Sequence, residues 1–195
     1  MKPILNFSLK ESFAVFVITA AVAFSSCNST AQNKEVAKTE EKGEAPQMDI
    51  HMAIMMNNLG VVQKHIEYGT DLNAKEPMAG STPLITATVF GKTEAAKLLI
   101  DAGSDLSAKN NDGSTALHVA AFFCRTEIVE ALLAKDADKT VRNNFGATPF
   151  ESVATPWDQI APIYSQIKNS MKPMGLEMDL TRIEKTRPVI ADLLK

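Results

Sequence analysis

Few residues of this chain have the type and spacing that chemistry requires. The segment FGKT at residues 90–93 imitates the end of a phosphate-binding loop, but such a loop needs a glycine five residues before Gly91, where Thr86 stands. The sequence contains no GxSxG, HExxH or CxxC motif, and no pair of carboxylates stands out. We therefore predict no catalytic, cofactor-binding or metal-binding residues and expect the protein not to be an enzyme.

Methionine is the one soft-ligand residue type that clusters. The clustered positions are Met48, Met52, Met55, Met56, Met171, Met174 and Met178. Outside the cytoplasm, methionine together with histidine can bind copper(I). Methionine also fills gaps in apolar cores, and the first cluster fits positions of a helix. We favour packing and keep copper binding as an alternative.

The N-terminus has the pattern of an export signal. Two lysines precede the uncharged run SFAVFVITAAVAF, residues 12–24, which has the length of a signal-peptide core and is too short to span a bilayer comfortably. We predict a signal peptide over residues 1–26, so the mature protein is expected outside the cytoplasm.

The cysteine that follows is a predicted lipidation site. The segment AFSSCNS is similar to a bacterial lipobox, in which a lipidated cysteine becomes the first mature residue; Phe24 departs from the usual leucine. We predict lipidation of Cys27 and a location in the cell envelope or periplasm, with the lipid as the sole membrane attachment. Cleavage after Ala31, which would give a soluble form, is the alternative.

Residues 27–47 are predicted to be a flexible tether. They contain a single valine and no aromatic residue, too little apolar surface to offset the entropy of ordering. The whole chain has 195 residues and a formal net charge of −3. This charge gives no electrostatic reason to expect a nucleic-acid partner, which usually needs a basic face.

Internal repeats dominate the remaining sequence. Gly80, Gly113 and Gly146 recur at intervals of 33 residues and begin the related phrases GSTPLITA, GSTALHVA and GATPFESV. The segments TEAAKLLIDAGSDLSAKNN and TEIVEALLAKDADKTVRNN also correspond, and LGVVQKHIEYGTDLNAK is a weaker upstream copy. A period of this length is typical of stacked helical repeats.

These motifs resemble the ankyrin repeat family over about residues 48–154. The resemblance implies an all-α solenoid of about four helix-turn-helix repeats with β-turn loop tips. The predicted domain, residues 48–195, divides into repeats at about 48–79, 80–112, 113–145 and 146–195. Each repeat exposes an apolar face until a neighbour stacks on it.

Local signals agree with this assignment. Thr82 and Thr115 are suited to capping the amino ends of first helices. Gly69 and Gly103 are suited to ending second helices with a positive φ, and Asp136 holds that position in repeat three.

The last repeat is interrupted. The segment RPVIADLLK, residues 187–195, matches TEIVEALLA with an offset of 61 residues, which is one repeat plus 28 residues. We predict an insert at about residues 156–184 between the two helices, carrying a short amphipathic helix, with Pro188 in the first turn of the second helix. A capping helix pair unrelated to the repeat is the alternative.

The resemblance also implies a binding surface. In this family the residues after the small positions of the first helix line a concave groove, and the loop tips touch the partner. Carried over, the groove positions are Met55, Met56, Val89, Phe90, Phe122 and Phe123, all apolar. The tip positions are Lys75, Lys109, Asn111, Asp112, Arg142 and Asn144. A contiguous apolar strip usually marks an interaction site.

Two features leave alternatives open. Trp157, Ile160, Ile163 and Tyr164 of the insert could cover Phe122 and Phe123 from within the chain. Cys124 could be buried and inert or a reactive thiol.

We predict a monomeric, non-catalytic module that binds an unknown protein partner. The alternatives are a redox- or copper-related envelope factor and an inhibitory or immunity-type protein that acts through its insert.

Overall fold

The computed structural model of the protein describes residues 44–195, and every regular element in this range is helical. In chain order the helices are α1 (Ile50–Met55), α2 (Leu59–Tyr68), α3 (Pro83–Val89), α4 (Thr93–Asp101), α5 (Ala116–Phe122), α6 (Thr126–Leu133), α7 (Pro149–Ala154), α8 (Trp157–Met171) and α9 (Leu180–Leu194), with a 3₁₀ turn at Lys172–Met174. No helix in this range is long and apolar enough to cross a membrane. The predicted signal peptide, Cys27 and most of the predicted tether lie outside the described residues.

Side chains cap the amino ends of the first helices: the predicted cap Thr82 is confirmed, and Thr148, which was not predicted, caps α7. The Thr82 Oγ1 accepts a hydrogen bond from the Ile85 N–H at 3.3 Å, and Pro83 follows at the first helical position. Thr148 and Glu151 form a reciprocal capping box at the start of α7. These contacts satisfy N–H groups that have no partner within the helix.

The turns within and after the helix pairs require left-handed backbone. Asn57, Gly91 and Cys124, at equivalent positions between the two helices, have φ values of 56°, 63° and 52°. Asp136 has a φ of 58° at the position where Gly103 ends the preceding repeat, as the alignment of the repeats predicts. A left-handed cysteine is uncommon, so the surrounding packing must hold Cys124 in place.

The helices stack in two rows. The inner helices α1, α3, α5 and α7 pack side by side, and the outer helices α2, α4, α6 and α9 form the row behind them. Fully buried alanines such as Ala87, Ala96 and Ala120 let the helices approach closely, and Leu99 and Leu132 fill the space between outer helices. The stacking of each repeat on its neighbour buries the apolar faces that the sequence pattern predicts.

The fourth repeat contains the predicted interruption. α9 takes the outer position of that repeat, with α8 and the 3₁₀ turn between α7 and α9. The prediction that Pro188 lies in a first helical turn is wrong, because α9 begins at Leu180 and Pro188 lies inside it. Pro188 is exposed, as is Glu184 one turn earlier, whose carbonyl loses its helical N–H donor to the proline.

Candidate partner-binding surface

The carboxyl ends of the inner helices carry the predicted apolar row, which we call the strip: Met55, Met56, Val89, Phe90, Phe122 and Phe123. In repeats one and two the strip is open to solvent. Met56 is 64% exposed, and Met55, Val89 and Phe90 are half-buried. We call these four side chains the open part of the strip.

In repeat three the insert covers the strip. The Tyr164 ring stacks on Phe122 with 4.7 Å between ring centroids, and Phe122 meets Phe123 edge to face at 5.2 Å. Phe123 is only 7% exposed. Neither ring is therefore freely available to a partner. At this end of the strip the insert covers the apolar residues, which was one of the two alternatives from the sequence.

Tyr164 is the contact that fixes α8. Its side chain is fully buried, its hydroxyl donates to the Phe122 carbonyl at 2.5 Å, and it accepts from the Arg187 guanidinium at 2.8 Å. Trp157 also stacks on the Tyr164 ring, with 5.6 Å between centroids, whereas Ile163 remains 47% exposed and takes no part in the cover. Burial raises the pKa of the Tyr164 hydroxyl to about 12, so the group stays protonated.

The six predicted tip residues are exposed, but several are held by contacts between repeats. The Asn111 N–H donates to the Ala79 carbonyl at 2.9 Å, and one repeat later the Asn144 N–H donates to the Asp112 carbonyl at the same distance. The Asn144 side-chain amide also donates to the Asn111 carbonyl at 3.0 Å. These bonds give both asparagines a structural role in joining neighbouring loops.

The basic tip residues are held to different degrees. The Lys109 ammonium donates to the Arg142 carbonyl at 3.4 Å. Arg142 forms an ion pair with Glu151 of α7 at 2.6 Å. Lys75 makes no such contact among the described residues. That these side chains bind a partner stays a prediction.

Two loop-tip residues that the sequence analysis missed are the most exposed large apolar side chains in residues 44–195. Met78 and Phe145 are each 77% exposed. Met78 lies 33 residues before Asn111, at the equivalent loop tip of the preceding repeat, and the Asn111 side-chain amide donates to its carbonyl. The available signal was an apolar residue within a turn that also holds typical turn residues, Pro77 and Gly80 around Met78, and Asn144 and Gly146 around Phe145.

The histidines serve the scaffold. His118 Nδ1 accepts from the Thr115 N–H at 3.3 Å, and its Nε2 lies 3.1 Å from the Ala147 carbonyl of the next repeat. Burial lowers the pKa of His118, which keeps the ring neutral and able to accept. His51 Nδ1 bonds Thr86 Oγ1 at 2.8 Å, and His65 Nε2 bonds the Met48 carbonyl at 2.8 Å.

Cys124 has the features of an inert thiol. It is fully buried beneath α9, with Sγ 3.7 Å from the Ile183 carbonyl. Burial raises its pKa to about 11, although three arginines act in the opposite direction. A thiolate is therefore not available at neutral pH. In the described part of the chain, no group of three or more His, Cys, Asp or Glu residues is placed to hold a metal ion.

Comparison with known proteins agrees with the geometry. The family model of ankyrin repeats, in three copies, matches residues 50–143. The human protein phosphatase 1 regulatory subunit 27 is 38% identical over 64 residues, and its mouse counterpart is 36% identical over 64 residues. Each match covers 33% of this chain and 41% of the relative, so the chain spans about two fifths of the length of these curated relatives.

A solved structure shares the architecture. The crystal structure of the ankyrin repeat domain of Bcl-3, a member of the IkappaB protein family, superposes with a TM-score of 0.51 and 29% sequence identity. The match covers 53% of this chain and 45% of that one. Residues 50–143 are therefore ankyrin repeats, and the predicted all-α ankyrin-repeat solenoid is confirmed.

Proposed function

We propose that this ankyrin-repeat domain is a non-catalytic protein-interaction module that binds its partner through the open part of the strip and the loop tips. The observation that carries the proposal is the open part of the strip, in which Met56 is 64% exposed and Met55, Val89 and Phe90 are half-buried. Met78, which is 77% exposed, adds an apolar side chain at a loop tip. Covering apolar surface is favourable by about 25 cal/mol per Å², so such a set favours association.

The chemistry of the other groups supports binding rather than catalysis. The three histidines bond scaffold atoms, and Cys124 is buried with a raised pKa. Both curated relatives are named regulatory subunits, a role in which a protein acts on another by binding it. The burial of Cys124 also weighs against the redox alternative.

In this proposal the insert supports the repeats and does not itself contact the partner. Its one fully buried aromatic residue, Tyr164, points at the array, and this contact withdraws Phe122 from the binding surface. An inhibitory role led by the insert would use its outer face, where Ile163 is the main exposed apolar side chain.

We further propose that the protein is exported in a bacterium and attached to the envelope by a lipid on Cys27. The support is the sequence alone: the apolar run at residues 12–24, the small residues before Cys27 and the polar segment that follows. The predicted tether then acts as a spacer between lipid and repeats.

The binding surface is tested by affinity capture with a Met56→Asp/Met78→Asp double variant of the full chain. Both side chains are mostly exposed, so the fold is expected to survive, with a melting temperature close to that of the unaltered chain. The matched control is Val189→Asp, which places a charge on an exposed apolar position of α9. We expect the captured partner to be lost with the double variant and kept with the control. Retention with both would contradict the proposed surface.

Lipid attachment is tested separately. Metabolic labelling with an alkyne fatty acid in a bacterial host should mark the unaltered chain and not Cys27→Ser. Mass spectrometry of the mature N-terminus distinguishes a chain that begins at Cys27 from one that begins at Gln32.

A further inference from the structure

Three arginines lie at the carboxyl ends of the inner helices, opposite the loop tips. Arg125 donates to the Val89 carbonyl at the end of α3, at 3.0 Å. Arg182 donates to the Cys124 carbonyl just beyond α5, also at 3.0 Å, and Arg187 donates to the Thr155 carbonyl just beyond α7. Carbonyls at a helix carboxyl end lack partners within the helix and carry partial negative charge, which explains these positions.

The helix ends balance only part of this positive charge. A helix terminus is equivalent to about half an elementary charge, and each arginine brings a full one. Among residues 44–195, no ion pair joins any of these three arginines to a carboxylate. The local excess of positive charge contrasts with the net charge of −3 of the chain.

Arg125 and Arg182 each donate one side-chain hydrogen bond to the described part of the protein, whereas Arg187 donates two. Arg125 Nε is buried and has no hydrogen-bond partner. The pKa of Arg125 falls to about 10, chiefly through burial and then through the charge of Arg182. Acidic residues close in sequence form no ion pair with either arginine: Asp179 accepts from the Arg182 backbone N–H, and Glu127 accepts from Thr93 Oγ1.

This basic pair borders the strip. The Arg125 guanidinium lies 5.9 Å from the centroid of the Phe123 ring and bonds the carbonyl of Val89. It also lies across Gly91, where a Cβ atom would come within 2.6 Å of the guanidinium carbon. Arg182 is exposed beside it, so charge and apolar surface are continuous.

We propose that Arg125 and Arg182 bind a carboxylate of the partner, so that the partner presents a segment in which apolar side chains adjoin Asp or Glu. The apolar side chains lie on the open part of the strip, and the carboxylate lies against the two guanidinium groups. Guanidinium groups form strong, oriented hydrogen bonds with carboxylates, which makes the pair a determinant of partner choice. This inference rests on the proposed function, because it names the class of partner for the same surface.

The test uses a display library of random 12-residue peptides selected on the full chain. We expect the selected peptides to combine apolar residues with Asp or Glu and to lose affinity as salt concentration rises. Arg182→Gln should weaken them about tenfold, the loss expected for one charge-assisted hydrogen bond. Lys185→Gln is the control, because it removes the same charge from an exposed position of the same helix.

A second readout follows the site directly. In ¹⁵N-resolved NMR spectra, the Arg125 Nε–H resonance should shift when a selected peptide is added. Replacing the acidic residue of the peptide by its amide should abolish the shift.

The outcomes separate the two proposals. One outcome overturns the inference and leaves the proposed function intact: the selected peptides fail to bind the Met56→Asp/Met78→Asp variant, are not enriched in acidic residues, and bind Arg182→Gln as tightly as the unaltered chain. Selected peptides that are indifferent to the Met56→Asp/Met78→Asp change contradict the proposed function itself. Recovery of no peptide counts against both.

Discussion

Replacing Tyr164 with phenylalanine is expected to weaken the attachment of α8 to the repeats. The ring and its stacking on Phe122 remain, but the hydroxyl that donates to the Phe122 carbonyl and accepts from Arg187 is removed. Arg187 is buried and would retain its bond to the Thr155 carbonyl only.

The magnitude follows from these two bonds. A neutral hydrogen bond contributes about 1 kcal/mol net, and one to a charged group about 1.5–3 kcal/mol. The two are not independent, so we expect a loss of roughly 2–3 kcal/mol in the free energy of docking of α8. Tyr164→Ala, which also removes the buried ring, should cost about 3–5 kcal/mol, in the range for large aromatic residues in cores.

The assay uses the one tryptophan of the chain. Trp157 stacks on Tyr164, so its fluorescence reports the docking of α8, while circular dichroism reports the repeats. In urea, Tyr164→Phe should move the fluorescence transition to lower denaturant more than the dichroism transition, because repeat arrays need not unfold as one unit. Ile163→Ala, an exposed position on the same helix, should change neither by more than about 0.5 kcal/mol. Coincident transitions for Tyr164→Phe and the unaltered chain would refute the anchoring role of the hydroxyl.

Three further predictions concern the same region and its turns. Burial raises the folded-state pKa of Tyr164 from 10.0 to about 12, so the stability that the protonated hydroxyl gives to α8 docking is complete below about pH 10 and is lost as pH rises towards 12. A pH titration of Trp157 fluorescence should show α8 detaching in that window. The Tyr164→Phe variant should show less change. Gly91→Ala should destabilise the domain by more than the roughly 1 kcal/mol expected for Gly103→Ala. Both glycines have positive φ, but of the two only Gly91 is placed so that an added Cβ would collide with Arg125. Equal losses of the free energy of unfolding in urea would contradict this. Cys124 should react with a thiol reagent in native protein no faster than the array opens, and full labelling within seconds at pH 7 without denaturant would show that the thiol is accessible.

The repeat architecture was predictable because its causes are local and periodic. The Thr82 and Thr148 side chains cap helices by accepting from the backbone N–H three residues later, and the left-handed positions recur in register. The same period identified residues 187–195 as the outer helix of the fourth repeat. The start of α9 was not predictable from that period, because residues 180–186 extend the helix beyond the repeat and pack through Ile183 over Cys124.

The candidate site was predictable only in part. The strip positions follow from the repeat register, but whether Phe122 is open depends on a contact with Tyr164, 42 residues away. The pairing of Arg125 with Arg182 likewise depends on residues from different repeats, and no sequence spacing indicates it. Met78 and Phe145 were not predicted, because the family resemblance marks the polar tip residues, and these are partly used to join the loops.

Site-specific photocrosslinking tests the central claim most directly. A benzoylphenylalanine placed at Met56 and, separately, at Glu130 on outer helix α6 compares two exposed positions on opposite rows of the array. Binding through the strip predicts that the Met56 position crosslinks to a discrete protein in the expressing cells and that the Glu130 position does not. Crosslinking from Glu130 with none from Met56 would contradict the account, since the partner would then bind the outer row.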